Sequence, residues 1–192
     1  TALNIHRVVV VGSSLGGILG MGMAAAMPSA LAAIIINDVG PEVETDGLNF
    51  IIDYIKEDQP HDDWDAAVAT IRKMLPNLKF QDEGIWLKMA HNTFREREDG
   101  KLYFDWDVNI AKPLLDSSYA IPDMWPLFCA LKHVPTLVLR GAESDILSSD
   151  CFARMQQIKP DMVAVEIPRA GHVPTLAEPE SRAALDEFLA RH

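Results

Sequence analysis

A serine, two acidic positions and a histidine stand in turns that each follow a run of β-branched residues, a set suited to acyl-transfer chemistry. The serine is Ser14, within Gly12-Ser13-Ser14-Leu15-Gly16 and directly after Val8-Val9-Val10-Val11. A hydroxyl is a weak nucleophile unless it stands clear of the backbone beside a base. A sharp strand-to-helix turn exposes it, at the cost of strained backbone angles. Gly12 and Gly16 remove the Cβ atoms that would collide in such a turn. Ser14 then lies at a helix N-terminus, where free N–H groups favour developing negative charge.

The base and its orienting acid come far downstream. After the predicted strand Val134-Pro135-Thr136-Leu137-Val138-Leu139-Arg140 stands Gly141-Ala142-Glu143-Ser144-Asp145. After the predicted strand Val163-Ala164-Val165-Glu166-Ile167 stands Arg169-Ala170-Gly171-His172-Val173-Pro174. Turns past the carboxyl ends of parallel strands are where open sheets place their sites. Asp145 is the preferred acid because its strand directly precedes the histidine strand. Asp38, after Ile34-Ile35-Ile36, is a second position from which the carboxylate can come, and Glu143 is a weaker third.

Serine, acid and histidine in this order resemble the α/β-hydrolase fold family, and VVVVGSSLGG, INDVGPE, LRGAESD and GHVPTLAEPE match its usual patterns. The resemblance runs over almost all of the chain and is least specific in the middle. It implies a mostly parallel sheet with flanking helices and an inserted helical cap. It further implies Ser14 as nucleophile, His172 as general base and then acid, Asp145 on the far side of the imidazole, and the Leu15 N–H as one of two oxyanion donors. The implied activity is serine hydrolysis of carboxylester or lactone bonds in small apolar acyl substrates. Carbon–carbon bond hydrolysis, cofactor-free haloperoxidation and a non-catalytic small-ligand receptor are the alternatives on the same fold. The family places several strands before the nucleophile strand, and Val8 lies near the start of this chain. We therefore expect the N-terminal strands of the fold, with the second oxyanion donor, to lie outside the sequence and to act as its partner.

Two other readings of the first forty residues stand beside this one. A dinucleotide-binding (NAD(P)-type) unit would use Gly12-x-x-x-Gly16-Gly17 and Asp38, but Ile18 stands where a third glycine belongs and G-x-G-x-x-G is absent. A membrane span is suggested by the uncharged run from Val8 to Asn37. The Gly-Ser-Ser turn and Pro28 divide that run into strand, helix and strand.

The remaining composition fits this frame. The chain has 192 residues, 48% of them apolar, and a net charge of −11, which disfavours nucleic acid and anionic membranes as partners. Nine acidic residues against Lys56 alone lie between Glu42 and Asp65 and read as a solvated helical face. Cys129 and Cys151 have no metal-ligand spacing and are expected to be buried free thiols in a reducing, cytoplasmic setting. No cofactor or metal is expected.

The expected organisation is a core over 1–42, a helical cap over 43–121 and a returning core over 122–192. Within the cap, Asp62 or Asp63 caps a helix carrying Trp64, Ala67, Val68, Ile71 and Leu75, and a second helix near 82–94 turns Ile85, Met89 and Phe94 inward. Lys101–Asp105 alternates as a hairpin strand or extended link. Trp86, Met89, Phe94 and Trp125 are candidates for lining a substrate pocket.

Overall fold

In a computed structural model the described residues are 4–76, 78, 82–115 and 122–192. The chain divides into two compact units, one of Thr1–Asp46 with Pro122–His192 and one of Gly47–Ile121.

The first unit is built on a parallel sheet. Strand β1 (Val8–Ser13) leads into helix α1 (Leu15–Ala26), and a short 3-10 turn at Pro28–Ala30 feeds β2 (Leu31–Asn37). Later come β5 (Thr136–Gly141) and β6 (Val163–Ile167), joined by helix α7 (Ser149–Ile158). The order is β1-β2-β5-β6 and every pairing is parallel. The central strands β2 and β5 read as unbroken apolar runs because both of their faces are covered; Ile34, Ile35, Ile36, Leu137, Val138 and Leu139 are fully buried. Helix α8 (Pro179–Arg191) seats Phe188 against Ala33, Ile35, Leu137, Leu139 and Ile167.

Helix α1 lies close on the sheet because its inward positions carry almost no side chain. A Cβ on Gly20 would stand 2.6 Å from Ile34 Cδ1. The methionines of this helix divide: Met21 is fully buried core, whereas Met27, just past its end, is 53% exposed. The uncharged run from Val8 to Asn37 is thus strand, helix, turn and strand. Among the described residues no helix is long and apolar enough to cross a membrane.

The second unit holds most of α2 (Thr45–Ile55), then α3 (Trp64–Met74), α4 (Glu83–Thr93), a hairpin of β3 (Phe94–Glu96) and β4 (Leu102–Phe104), and the short α5 (Lys112–Leu115). Asp63 caps α3 by accepting the Ala66 N–H at 2.8 Å. Its core gathers Ala67, Ile71, Trp86, Ala90, Phe94, Leu102 and Phe104. The expectation that Ile85 points inward is corrected: it is 39% exposed, and Trp86 with Ala90, one turn apart, forms the inner face of α4. Among the cysteines, Cys151 on α7 is buried and its thiol is pushed up by burial. Cys129, on the short helix α6 (Trp125–Cys129), is exposed, contrary to the expectation of two buried thiols.

Candidate active site

Ser14 sits between β1 and α1 with φ 51° and ψ −121°, a conformation that a side-chain-bearing residue adopts only under constraint. Its own N–H donates to the Asn37 carbonyl at 3.0 Å, and its carbonyl accepts the Gly17 N–H at 2.8 Å. The turn closes so tightly that a Cβ on Gly12 would stand 2.4 Å from both the carbonyl carbon and oxygen of Gly16. That is the physical reason for glycine at 12. At Gly16 nothing lies within 4 Å of the corresponding position, so there the sequence expectation of a collision is corrected. The Leu15 N–H opens the helix and has no carbonyl four residues back to bond.

The Ser14 hydroxyl lies 3.0 Å from Nε2 of His172. Nδ1 of the same ring lies 2.8 Å from Oδ2 of Asp38. Ser14, His172 and Asp38 come from the ends of β1, β6 and β2, gathered on one rim because parallel strands all end on the same side. The imidazole side chain is 10% exposed and the Asp38 carboxylate is wholly buried.

The expectation that Asp145 holds the imidazole is therefore corrected. Asp145 is exposed, whereas Asp38, with φ 59°, turns its side chain back under the histidine. The loop after β5 serves this carboxylate instead of supplying one. The Gly141 N–H donates to Asp38 Oδ1 at 2.7 Å, and the Ser144 hydroxyl donates to Oδ2 at 2.6 Å. Ser144 Oγ accepts the N–H groups of Ile146 and Leu147 at 3.2 and 3.0 Å, which commits its single proton to Asp38. Wholly buried and engaged by three groups, Asp38 is not presented to a ribose hydroxyl, which removes the basis of the dinucleotide reading.

Asn37 was missed as a site residue. It is fully buried at the end of β2, paired in register with Ser13. Its Nδ2 group donates to Ser13 Oγ at 3.0 Å and to the Pro174 carbonyl at 2.9 Å. A polar residue closing an otherwise apolar strand was the available signal.

The aromatic candidates serve packing. Trp86 and Phe94 are each 2% exposed in the core of the second unit, and Met89 packs partly buried against the same cluster. Trp125 donates its indole N–H to Glu42 at 2.7 Å and lies under the Arg154 guanidinium at 4.0 Å. Among the described residues no group of three or more His, Cys, Asp or Glu side chains is placed to hold a metal ion.

A parallel sheet whose strand-to-helix serine turn, acid and histidine meet at one rim defines an α/β-hydrolase architecture. Residues 1–185 match the family model described as the alpha/beta hydrolase family, and the chain belongs to that family. It is similar to an alpha/beta hydrolase from Novosphingobium aromaticivorans: 41% identity and a TM-score of 0.88, covering 100% of this chain and 68% of that one. It is 27% identical to 3-hydroxybutyrate-oligomer hydrolase of Cupriavidus necator over 97% of this chain and 66% of the relative. It is 23% identical to 2-(acetamidomethylene)succinate hydrolase of Mesorhizobium japonicum over 94% of this chain and 63% of the relative. The chain thus spans slightly less than two thirds of these two curated relatives. Both relatives are named as hydrolases.

Proposed function

We propose that this chain carries the catalytic residues of a serine hydrolase acting on carboxylester or lactone bonds of small, largely apolar acyl compounds. The observation that carries the reading is the continuous path from Ser14 Oγ through the two ring nitrogens of His172 to Asp38, at 3.0 and 2.8 Å. These are hydrogen-bonding distances for a nucleophile, its base and the group that orients the base.

His172 Nε2 takes the hydroxyl proton as Ser14 Oγ attacks the carbonyl carbon. The carbonyl electron pair moves to oxygen, and that oxyanion accepts a hydrogen bond from the Leu15 N–H at the mouth of α1. On collapse the carbon–oxygen bond to the leaving alcohol breaks, and Nε2 delivers its proton to that oxygen. Water then attacks the acyl carbon while Nε2 takes one of its protons. The acid departs and Ser14 regains its hydrogen. Gly141, Ser144 and His172 all donate to Asp38. It fixes the tautomer that leaves Nε2 free to accept.

Leu15, beside the nucleophile, is 48% exposed and Leu19, one turn on, is 65% exposed. They offer an apolar flank for an acyl chain. The Cupriavidus relative is named for hydrolysis of 3-hydroxybutyrate oligomers.

A fluorophosphonate probe tests the assignment by phosphonylating the activated serine. The expected adduct maps to the peptide holding Ser14 and is absent from Ser14→Ala. Labelling that survives in Ser14→Ala overturns the proposal.

A further inference from the structure

We infer that Asn37 is a positioning residue that sets the distance between nucleophile and base, an inference that rests on the serine-hydrolase reading above. The carboxamide lies where three functional segments converge. Its backbone carbonyl receives the Ser14 N–H at 3.0 Å, and the next residue along the chain is Asp38. Its two side-chain N–H groups diverge, one to Ser13 Oγ at 3.0 Å and the other to the Pro174 carbonyl at 2.9 Å. Ser13 adjoins the nucleophile, and Pro174 lies two residues beyond His172. One rigid, neutral, planar group therefore ties the nucleophile turn to the histidine loop.

The chemistry narrows the choice of side chain. An aspartate in this place has no proton to give Pro174, and a leucine has none for either partner. Together with the Ser14 Oγ–His172 Nε2 contact, the side-chain ties from Asn37 join the turn at Ser13 to the loop at Pro174.

The buried Asn37 Oδ1 has no hydrogen-bond partner among the described residues. Asn37→Leu removes that acceptor but leaves the Pro174 carbonyl without its donor, so it weakens the fold as well as the alignment. Alignment shows in the rate, since small misplacement of reacting groups lowers kcat far more than it weakens binding.

The experiment measures steady-state hydrolysis of an activated p-nitrophenyl acyl ester and thermal unfolding for the parent protein, Asn37→Leu, Ser13→Ala, the double variant and Ser14→Ala. Asn37→Leu is expected to lower kcat about 30-fold, with KM changed less than about twofold, at a temperature below its lowered unfolding midpoint. Ser13→Ala, at an exposed position where folding is not at stake, is expected to lower kcat several-fold at unchanged midpoint. The double variant should lose no more than Asn37→Leu alone, because both changes cut the same tie. Parent-like kcat in Asn37→Leu or in Ser13→Ala overturns the inference. So do losses of kcat in Ser13→Ala that track its midpoint, or an effect on KM alone. If Asn37→Leu does not fold, Ser13→Ala decides the matter by itself. Ser14→Ala separates the two readings: turnover retained there sinks the nucleophile assignment, whereas turnover lost there beside a parent-like Asn37→Leu sinks only the positioning role.

Discussion

Oδ2 of Asp38 lies 2.8 Å from Nδ1 of His172, although 134 residues separate the two in the chain. The side chain is wholly buried and is held by three groups: the imidazole, the Gly141 N–H and the Ser144 hydroxyl. Held so, it is a fixed acceptor against which the imidazole is oriented.

Substituting the acid tests this arrangement. Asp38→Asn keeps the shape but offers an amide where Nδ1–H needs an acceptor, and selects the wrong tautomer. We expect kcat to fall about 10³- to 10⁴-fold. Asp145→Asn, on an exposed side chain, should leave kcat within about twofold of the parent. Ester hydrolysis by the two purified variants checks both; the reverse pattern would return the acid to position 145.

Spacing alone did not choose the acid. Ser14 was legible because its turn is joined downstream by an acid and a histidine that each follow a strand, and His172 because Gly171-His172 follows the last core strand. Both Asp38 and Asp145 end predicted strands, so position in the chain does not separate them. What separates them is sheet order. Strand β2 lies between β1 and β5, so its end stands beside the nucleophile turn, and the β5 loop is left to donate through Gly141 and Ser144.

The core strands and most helices were legible for similar reasons: the apolar runs 31–36 in β2 and 137–139 in β5 belong to strands covered on both faces. The inner face of α4 was not. Ile85 and Trp86 are neighbours, and only tertiary packing decides which of two adjacent apolar residues points inward. The same limit applies to Trp86 and Phe94, whose size suits a pocket or a core equally well in sequence. Their 2% exposure assigns them to the core of the second unit.

Two glycines should respond oppositely to alanine. At Gly12 the new Cβ would meet the Gly16 backbone at 2.4 Å, and backbone cannot yield as a side-chain tip can. We expect Gly12→Ala to cost about 3 kcal/mol or more, by distorting the nucleophile turn. At Gly22, inside α1, nothing lies within 4 Å, so Gly22→Ala should stabilise by about 0.5–1 kcal/mol through helix propensity. Urea unfolding of both variants measures the contrast.

The loop carrying His172 should be acid-sensitive through Glu178. Burial raises this carboxyl, but donors from the Ser181 hydroxyl, the Thr175 N–H and the Thr175 hydroxyl outweigh burial and hold it below its ordinary 4.5. A depressed carboxyl binds fewer protons folded than unfolded. Its contribution is therefore present above 4.5 and lost as pH falls through the lower folded value. Urea unfolding from about pH 6 to about pH 3 should show a steeper loss of stability in the parent than in Glu178→Gln. Equal slopes would remove Glu178 from the account.

Burst kinetics with a p-nitrophenyl ester tests the central claim most directly, because it counts the hydroxyl that attacks. The parent should release about one equivalent of nitrophenol per active chain before steady turnover, with the acyl group recovered on the peptide that contains Ser14. Ser14→Ala and His172→Ala should show no burst. A burst of parental size in Ser14→Ala, or an acyl group recovered on another residue, would contradict the assignment of Ser14, His172 and Asp38 as one catalytic unit.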